Sequence, residues 1–170
     1  MTRQPRRPAA IPLQFRAFLW VVAAAAAAFD LSRAWRAARR GPWLVEVAER
    51  SMVPALQPGD WLLVDPTVDR WPRRGSLVLV REPGSDLLVL KRVAARPGDT
   101  VVGVGRRIAL GTWDAWLRGD AADASVDSRR YGPVPLEWLV ARAWFRYGPL
   151  GRVGLLDTRP RWSGVAAHGP

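Results

Sequence analysis

The sequence predicts a mainly β domain, either a partly open barrel or a sandwich, behind an N-terminal helix. Three observations predict it: short apolar segments at regular spacing after residue 43, Pro-Gly turns between them, and one unbroken apolar run near the start. At 170 residues the chain has room for one ordinary domain with short appendages.

Taken in order, residues 1–10 are basic and contain proline, and residues 17–29 form an apolar run of 13 that includes six consecutive alanines. A bilayer span needs about 20 residues. Starting the run at Ile11 lengthens it to 19 and takes in Gln14 and Arg16, and Arg16 can snorkel if it lies near the end of the span. The segment reads first as an uncleaved membrane anchor, with a cleaved secretory signal and a soluble alanine-rich helix as alternatives. Arg3, Arg6, Arg7 and Arg16 precede the run and Arg33, Arg36, Arg39 and Arg40 follow it, so charge does not orient it. Gly41-Pro42 breaks any helix. The expected organisation is therefore a basic N-terminus with an anchor helix over 1–40, a β domain over 41–150, and a C-terminal tail over 151–170.

Within the domain, strands are expected over 43–47, 61–64, 76–80, 87–93, 100–104 and 138–146, where β-branched and bulky apolar residues cluster over strand-like lengths. Turns are expected at Pro58-Gly59-Asp60, Pro83-Gly84-Ser85 and Pro97-Gly98-Asp99.

Composition removes several function classes. The formal charge of +11 suggests an anionic partner, but the arginines are spread through every segment without a nucleic-acid motif. A solvated or membrane-facing charge is expected, and nucleic-acid binding is not. There is no Cys, so disulfides, thiolate metal sites and a cysteine nucleophile are absent. The only His is His168, two residues from the end, a poor place to hold the imidazole of a Ser-His-Asp triad. No cofactor or metal is expected.

Of 26 basic residues, 25 are Arg and one is Lys, at position 91. Arginine cannot lose its proton in a protein, whereas a buried lysine can become a neutral amine and act as a base. Lys91 ends an apolar stretch that reads as a buried strand, and such surroundings disfavour the charged form. A coding bias against lysine is the bland alternative. Ser51 follows the first predicted strand and precedes Pro54 and Pro58, which stiffen the backbone. A serine there is most often an ordinary turn residue, yet with Lys91 it makes a chemically sensible nucleophile and base.

Three motifs carry a family resemblance. Ser51-Met52-Val53-Pro54-Ala55-Leu56-Gln57-Pro58-Gly59-Asp60 is followed by Lys91-Arg92, then by Gly119-Asp120, Asp127-Ser128-Arg129 and Tyr131-Gly132-Pro133-Val134. In this order, over about residues 43–147, they resemble signal peptidase I. The resemblance implies Ser51 as nucleophile, Lys91 as general base, Ser125 as the hydroxyl that orients the lysine, and Asp127 with Arg129 as a supporting ion pair. It also implies that Val47, Met52, Leu56, Val89 and Leu90 line the pocket for the residue before the scissile bond, although each would equally suit a plain core. The substrate would be a precursor protein whose extended segment pairs with a strand edge and is cut after small residues. The location implied is the plasma membrane, single-pass, with the catalytic domain on the outer face.

Two departures from the family pattern stand out. Ala121 replaces the usual Asn, and Glu49 lies where some members place a hydroxyl that helps the oxyanion. A carboxylate aimed there would repel the developing charge, so Glu49 is expected to point away. Only 27 residues separate Lys91 from Gly119, too few for a large accessory domain. A dedicated maturation protease for one precursor, resembling that of nickel superoxide dismutase, is the nearest alternative; Phe145-Arg146-Tyr147-Gly148-Pro149 suits it, and it would be cytoplasmic. A non-catalytic peptide- or membrane-binding β module is the alternative of another class.

Overall fold

The computed structural model describes residues 41–103 and 105–159. The anchor expected over 1–40 lies outside the described residues, and no helix among those described is long and apolar enough to cross a membrane. The domain is mainly β, built on an open antiparallel sheet.

Among the described residues ten strands occur, in the order β1 (Trp43–Glu46), β2 (Trp61–Asp65), β3 (Leu77–Arg81), β4 (Leu88–Ala95), β5 (Thr100–Gly103), β6 (Arg106–Ala109), β7 (Asp114–Arg118), β8 (Val134–Pro135), β9 (Leu139–Gly148) and β10 (Gly154–Leu155). A single helical turn, α1 (Ser128–Tyr131), precedes β8. The main sheet runs β1-β2-β9-β3-β4-β7-β8, and β5 with β6 forms a separate hairpin. The ten-residue β9 is the spine. It pairs with β2 along one edge, and on the other with β3 through Leu139–Ala143 and with β10 through Phe145–Arg146.

The six expected strand segments correspond to β1, β2, β3, β4, β5 and β9. Gly59, Gly84 and Gly98 take positive φ at the three expected Pro-Gly turns, a conformation other residues avoid. Sequence reasoning missed β6, β7, β8 and β10. Residues 151–159, assigned to a tail, include β10 on β9, and the Leu156 N–H donates to the Trp144 carbonyl at 3.0 Å.

The central strands are covered on both faces because successive side chains point to opposite sides. Leu77 and Leu79 of β3 join Leu90, Met52 and Leu56 in one apolar cluster. Val78 and Val80 join Val89, Val93, Leu117 and Trp71 in a second cluster. The near-continuous burial of β3 and β4 explains why their sequences read as unbroken apolar runs.

Candidate active site

The segment after β1 is closed into a loop by its own main chain. The Val47 N–H donates to the Asp60 carbonyl and the Gly59 N–H to the Val47 carbonyl, each at 2.8 Å. Inside the loop, the Leu56 N–H donates to the Met52 carbonyl at 2.9 Å, and both side chains are buried in the first cluster. Ser51 is thereby held at the base of a plugged loop, itself 6% exposed.

Asp60 fastens the other end. Its buried carboxylate accepts from the Gln57 N–H at 2.9 Å, stands 3.2 Å from Arg146 Nε and 3.0 Å from Arg152 Nη1. Arg146 also donates to the Ala55 carbonyl at 2.6 Å, so β9 grips the loop at two points.

Beside Ser51 lies a cavity of about 210 Å³, bounded by Val45–Glu49, Ser51, Met52, Leu79 and Leu87–Leu90. Four of the residues assigned to substrate contact, Val47, Met52, Val89 and Leu90, line it with the serine. Leu56 does not; it is fully buried as the loop's plug. Glu49, expected to point away, lines the same cavity, because the short stretch between β1 and Ser51 leaves it exposed at the rim.

Lys91 follows Leu90 on β4, opposite Val78 of β3, and is 3% exposed. Burial holds its amine below the ordinary lysine range; the charges of Asp127, Glu49 and Glu82 work against that, and Arg129 works with it. The next residue, Arg92, points to the opposite face. It donates to Asp120 through Nε at 2.9 Å and Nη2 at 2.6 Å, and through Nη1 to the carbonyls of Gly75 and Asp157, each at 2.7 Å.

Asp120 belongs to the third motif, so Arg92 ties that loop to β4. The loop carries Ser125, whose buried Oγ has no hydrogen-bond partner among the described residues. A Cβ built at Gly119 would overlap the Ser125 side chain and stand 2.6 Å from the Ser51 carbonyl oxygen. Glycine is what lets Ser125 and the Ser51 main chain meet there. The Ser51 carbonyl also accepts from the Ala121 N–H at 3.0 Å.

Asp127 is fully buried and organises the loop end. It accepts from the Gly119 N–H at 3.0 Å, from Arg129 Nε at 2.8 Å and Nη2 at 2.9 Å, and caps α1 through the Arg129 N–H at 3.2 Å. Burial pushes its carboxyl up, but the Arg129 and Gly119 hydrogen bonds prevail and hold it below the ordinary carboxylate range. The adjacent Ser128 accepts from the Leu117 N–H at 2.9 Å and so joins the loop to β7.

Sequence reasoning overlooked Arg92, Asp120, Asp60, Arg146, Arg152 and Ser128 as parts of the site. Arg92, Asp120, Asp60 and Ser128 stand inside the quoted motifs and Arg146 inside the Phe145–Pro149 segment; nothing in the sequence distinguishes Arg152.

Comparison with known proteins bears on the same segments. The family described as signal peptidase, peptidase S26 matches residues 15–112. The chain belongs to this family. Mitochondrial inner membrane protease subunit 1 of Schizosaccharomyces pombe is 35% identical over 107 residues, 55% of this chain and 68% of that protein. The protein of that name from Mus musculus is 30% identical over 95 residues, covering 52% of this chain and 57% of its own length. Signal peptidase I of Leptolyngbya laminosa is 27% identical over 149 residues, 68% of this chain and 73% of that protein. As a member of the S26 family, the chain is a signal-peptidase-like protease. The family match ends before Gly119 and the third motif.

Proposed function

We propose that this S26 protein is a serine endopeptidase that removes leader segments from precursor proteins, with Ser51 as nucleophile and Lys91 as general base. One observation carries the reading: the chain's single lysine is buried on β4 directly after two residues that line the cavity beside Ser51, and burial favours its neutral form.

The neutral Lys91 amine takes the Ser51 proton as Oγ attacks the substrate carbonyl carbon. The Ser51 N–H faces the tetrahedral oxygen. Collapse breaks the peptide bond, the Lys91 ammonium returns its proton to the leaving amine, and an acyl-Ser51 ester remains. Water, deprotonated by the same amine, then attacks the ester, and the ammonium returns the proton to Ser51 Oγ as the acyl–oxygen bond breaks. The Ser125 hydroxyl, which has no hydrogen-bond partner among the described residues, is free to orient the amine during the reaction without protonating it. Asp127 and Arg129 hold the Ser125 loop, and Gly119 keeps it against Ser51.

The substrate adds as an extended strand along β1, the edge of the main sheet, with a small side chain entering the cavity. Residues 1–40 act as a membrane anchor that concentrates enzyme and precursor in one bilayer, with the β domain on the outer face of the plasma membrane. The names of the similar mitochondrial inner membrane protease subunits favour a membrane setting over the cytoplasmic alternative.

The test is cleavage of a peptide in which the scissile bond follows an internal Ala-x-Ala, by wild type, Ser51→Ala and Lys91→Arg. Both variants should lose at least about 100-fold in kcat, since a permanent cation cannot accept a proton. Retention of more than about a tenth of kcat by Lys91→Arg would remove Lys91 from the role.

A further inference from the structure

The cleft beside Ser51 has a charge opposite in sign to that of the chain. The protein carries 26 basic side chains against 15 acidic ones. Yet among the described residues lining the cavity the ionisable side chains are Glu46 and Glu49, both carboxylates and both exposed. The rest of the lining is Ser51, Ala48 and apolar side chains such as Val45, Met52 and Leu79. Glu82, just past β3, is outside the lining; its carboxylate accepts from Ser85 Oγ at 3.0 Å, and its charge acts on Lys91.

A carboxylate two residues before the nucleophile hinders the reaction on a neutral peptide in two ways. It repels the developing oxyanion, and it favours the protonated form of the Lys91 amine. Apolar walls screen neither effect as water would. A cation seated against Glu49 relieves both, and the binding partner that brings a cation to this place is the substrate itself.

We propose, resting on Ser51 and Lys91 as the reacting pair, that Glu49 selects precursors with an arginine or lysine within a few residues of the scissile bond. Glu46 extends the same negative surface along the end of β1. The substrate cation is gained in KM through the ion pair and in kcat through relief of the charge beside the reacting atoms. The groups bearing on the Lys91 amine are then Asp127 and Arg129 from the third motif, Glu82 from the end of β3, and Glu49 with its substrate partner.

The test uses the purified full chain and quenched fluorescent peptides in which the scissile bond follows an internal Ala-x-Ala. A single Arg is moved through the x position, the two positions before the Ala-x-Ala and the three positions after the scissile bond, with Gln at each position as the neutral control. At one or two positions Arg should exceed Gln in kcat/KM by about 5-fold at low ionic strength, as a partly exposed ion pair allows, and the preference should fall in high salt. Glu49→Gln should bring the Arg/Gln ratio close to one, and Glu49→Asp should restore part of it. With neutral peptides, Glu49→Gln should also move the acid limb of the kcat profile to lower pH. Cleavage by wild type with no Arg preference at any position, or a preference that survives in both Glu49→Gln and Glu46→Gln, would overturn the proposal while leaving Ser51 and Lys91 in place. Failure of wild type to cleave any peptide would overturn both readings.

Discussion

Lys91 and Arg92 are neighbours on β4, both almost wholly buried, and the fold treats their charges in opposite ways. Arg92 has a two-pronged carboxylate and two carbonyls within hydrogen-bond distance, spending four donor contacts inside the protein. Lys91 is buried among the apolar residues of the opposite face, and the carboxylates that act on it do so from farther away. A guanidinium keeps its charge under any condition a protein meets, so burying it requires compensation in full. An amine can surrender its proton instead. The adjacent positions show how one strand can carry a fixed structural charge on one side and, on the other, an amine that burial biases toward its neutral form.

Removing the compensation from the Arg92 side should have the largest effect. Asp120→Ala leaves a buried guanidinium without its carboxylate, and equilibrium denaturation should show a loss of about 3–5 kcal/mol. A loss near zero would mean that Arg92 reaches water and that the two positions are not treated differently.

The ion pair of the third motif is intermediate, with Asp127 buried and the Arg129 side chain 36% exposed. A cycle of Asp127→Ala, Arg129→Ala and the double variant should give a stability coupling of about 1–2 kcal/mol. Strict additivity would dissolve the pair. Because the folded Asp127 carboxyl lies below its ordinary 3.8, its contribution is present above that value and is lost as pH falls through the folded one.

The Lys91 side should respond with the opposite sign. Its amine is held below 10.5 when folded, so the native state binds fewer protons than the unfolded chain between the folded value and 10.5. Wild-type stability from this group therefore rises with pH across that window. Lys91→Met removes the cost of burying the charge, so it should gain on the order of 1 kcal/mol in stability at neutral pH while losing cleavage. The gain should shrink as pH climbs toward 10.5.

The same contrast explains what the sequence could reveal. Lys91 was conspicuous because it is the single lysine among 26 basic residues, and the choice of amine over guanidinium has a chemical meaning. Arg92 is one of 25 arginines, and its partners stand 17, 28 and 65 residues away, a closure that composition and spacing do not encode. The longer strands were legible from their apolar, β-branched runs. β6 reads Arg-Arg-Ile-Ala with its arginines in solvent, and β8 and β10 are two residues each, so none presents a run to recognise. β7 hides between charged ends, although Ala115, Trp116 and Leu117 are all buried. Glu49 is expected to point away from the oxyanion, and the structure places it on the lining of the cavity beside Ser51, where spacing along the chain alone does not put it.

The central claim is that Lys91 is a base made by burial, and one measurement addresses it without reference to any substrate. Isotopic labelling of lysine marks a single side chain in this protein, so the Lys91 Cε and Nζ resonances can be followed through a pH titration without ambiguity. The account predicts a midpoint clearly below 10.5, moving lower still when Asp127 is replaced by Asn, because the Asp127 charge works against the depression. A midpoint at or above 10.5 would contradict it, since Lys91 would then be a permanent cation at neutral pH like the arginine beside it.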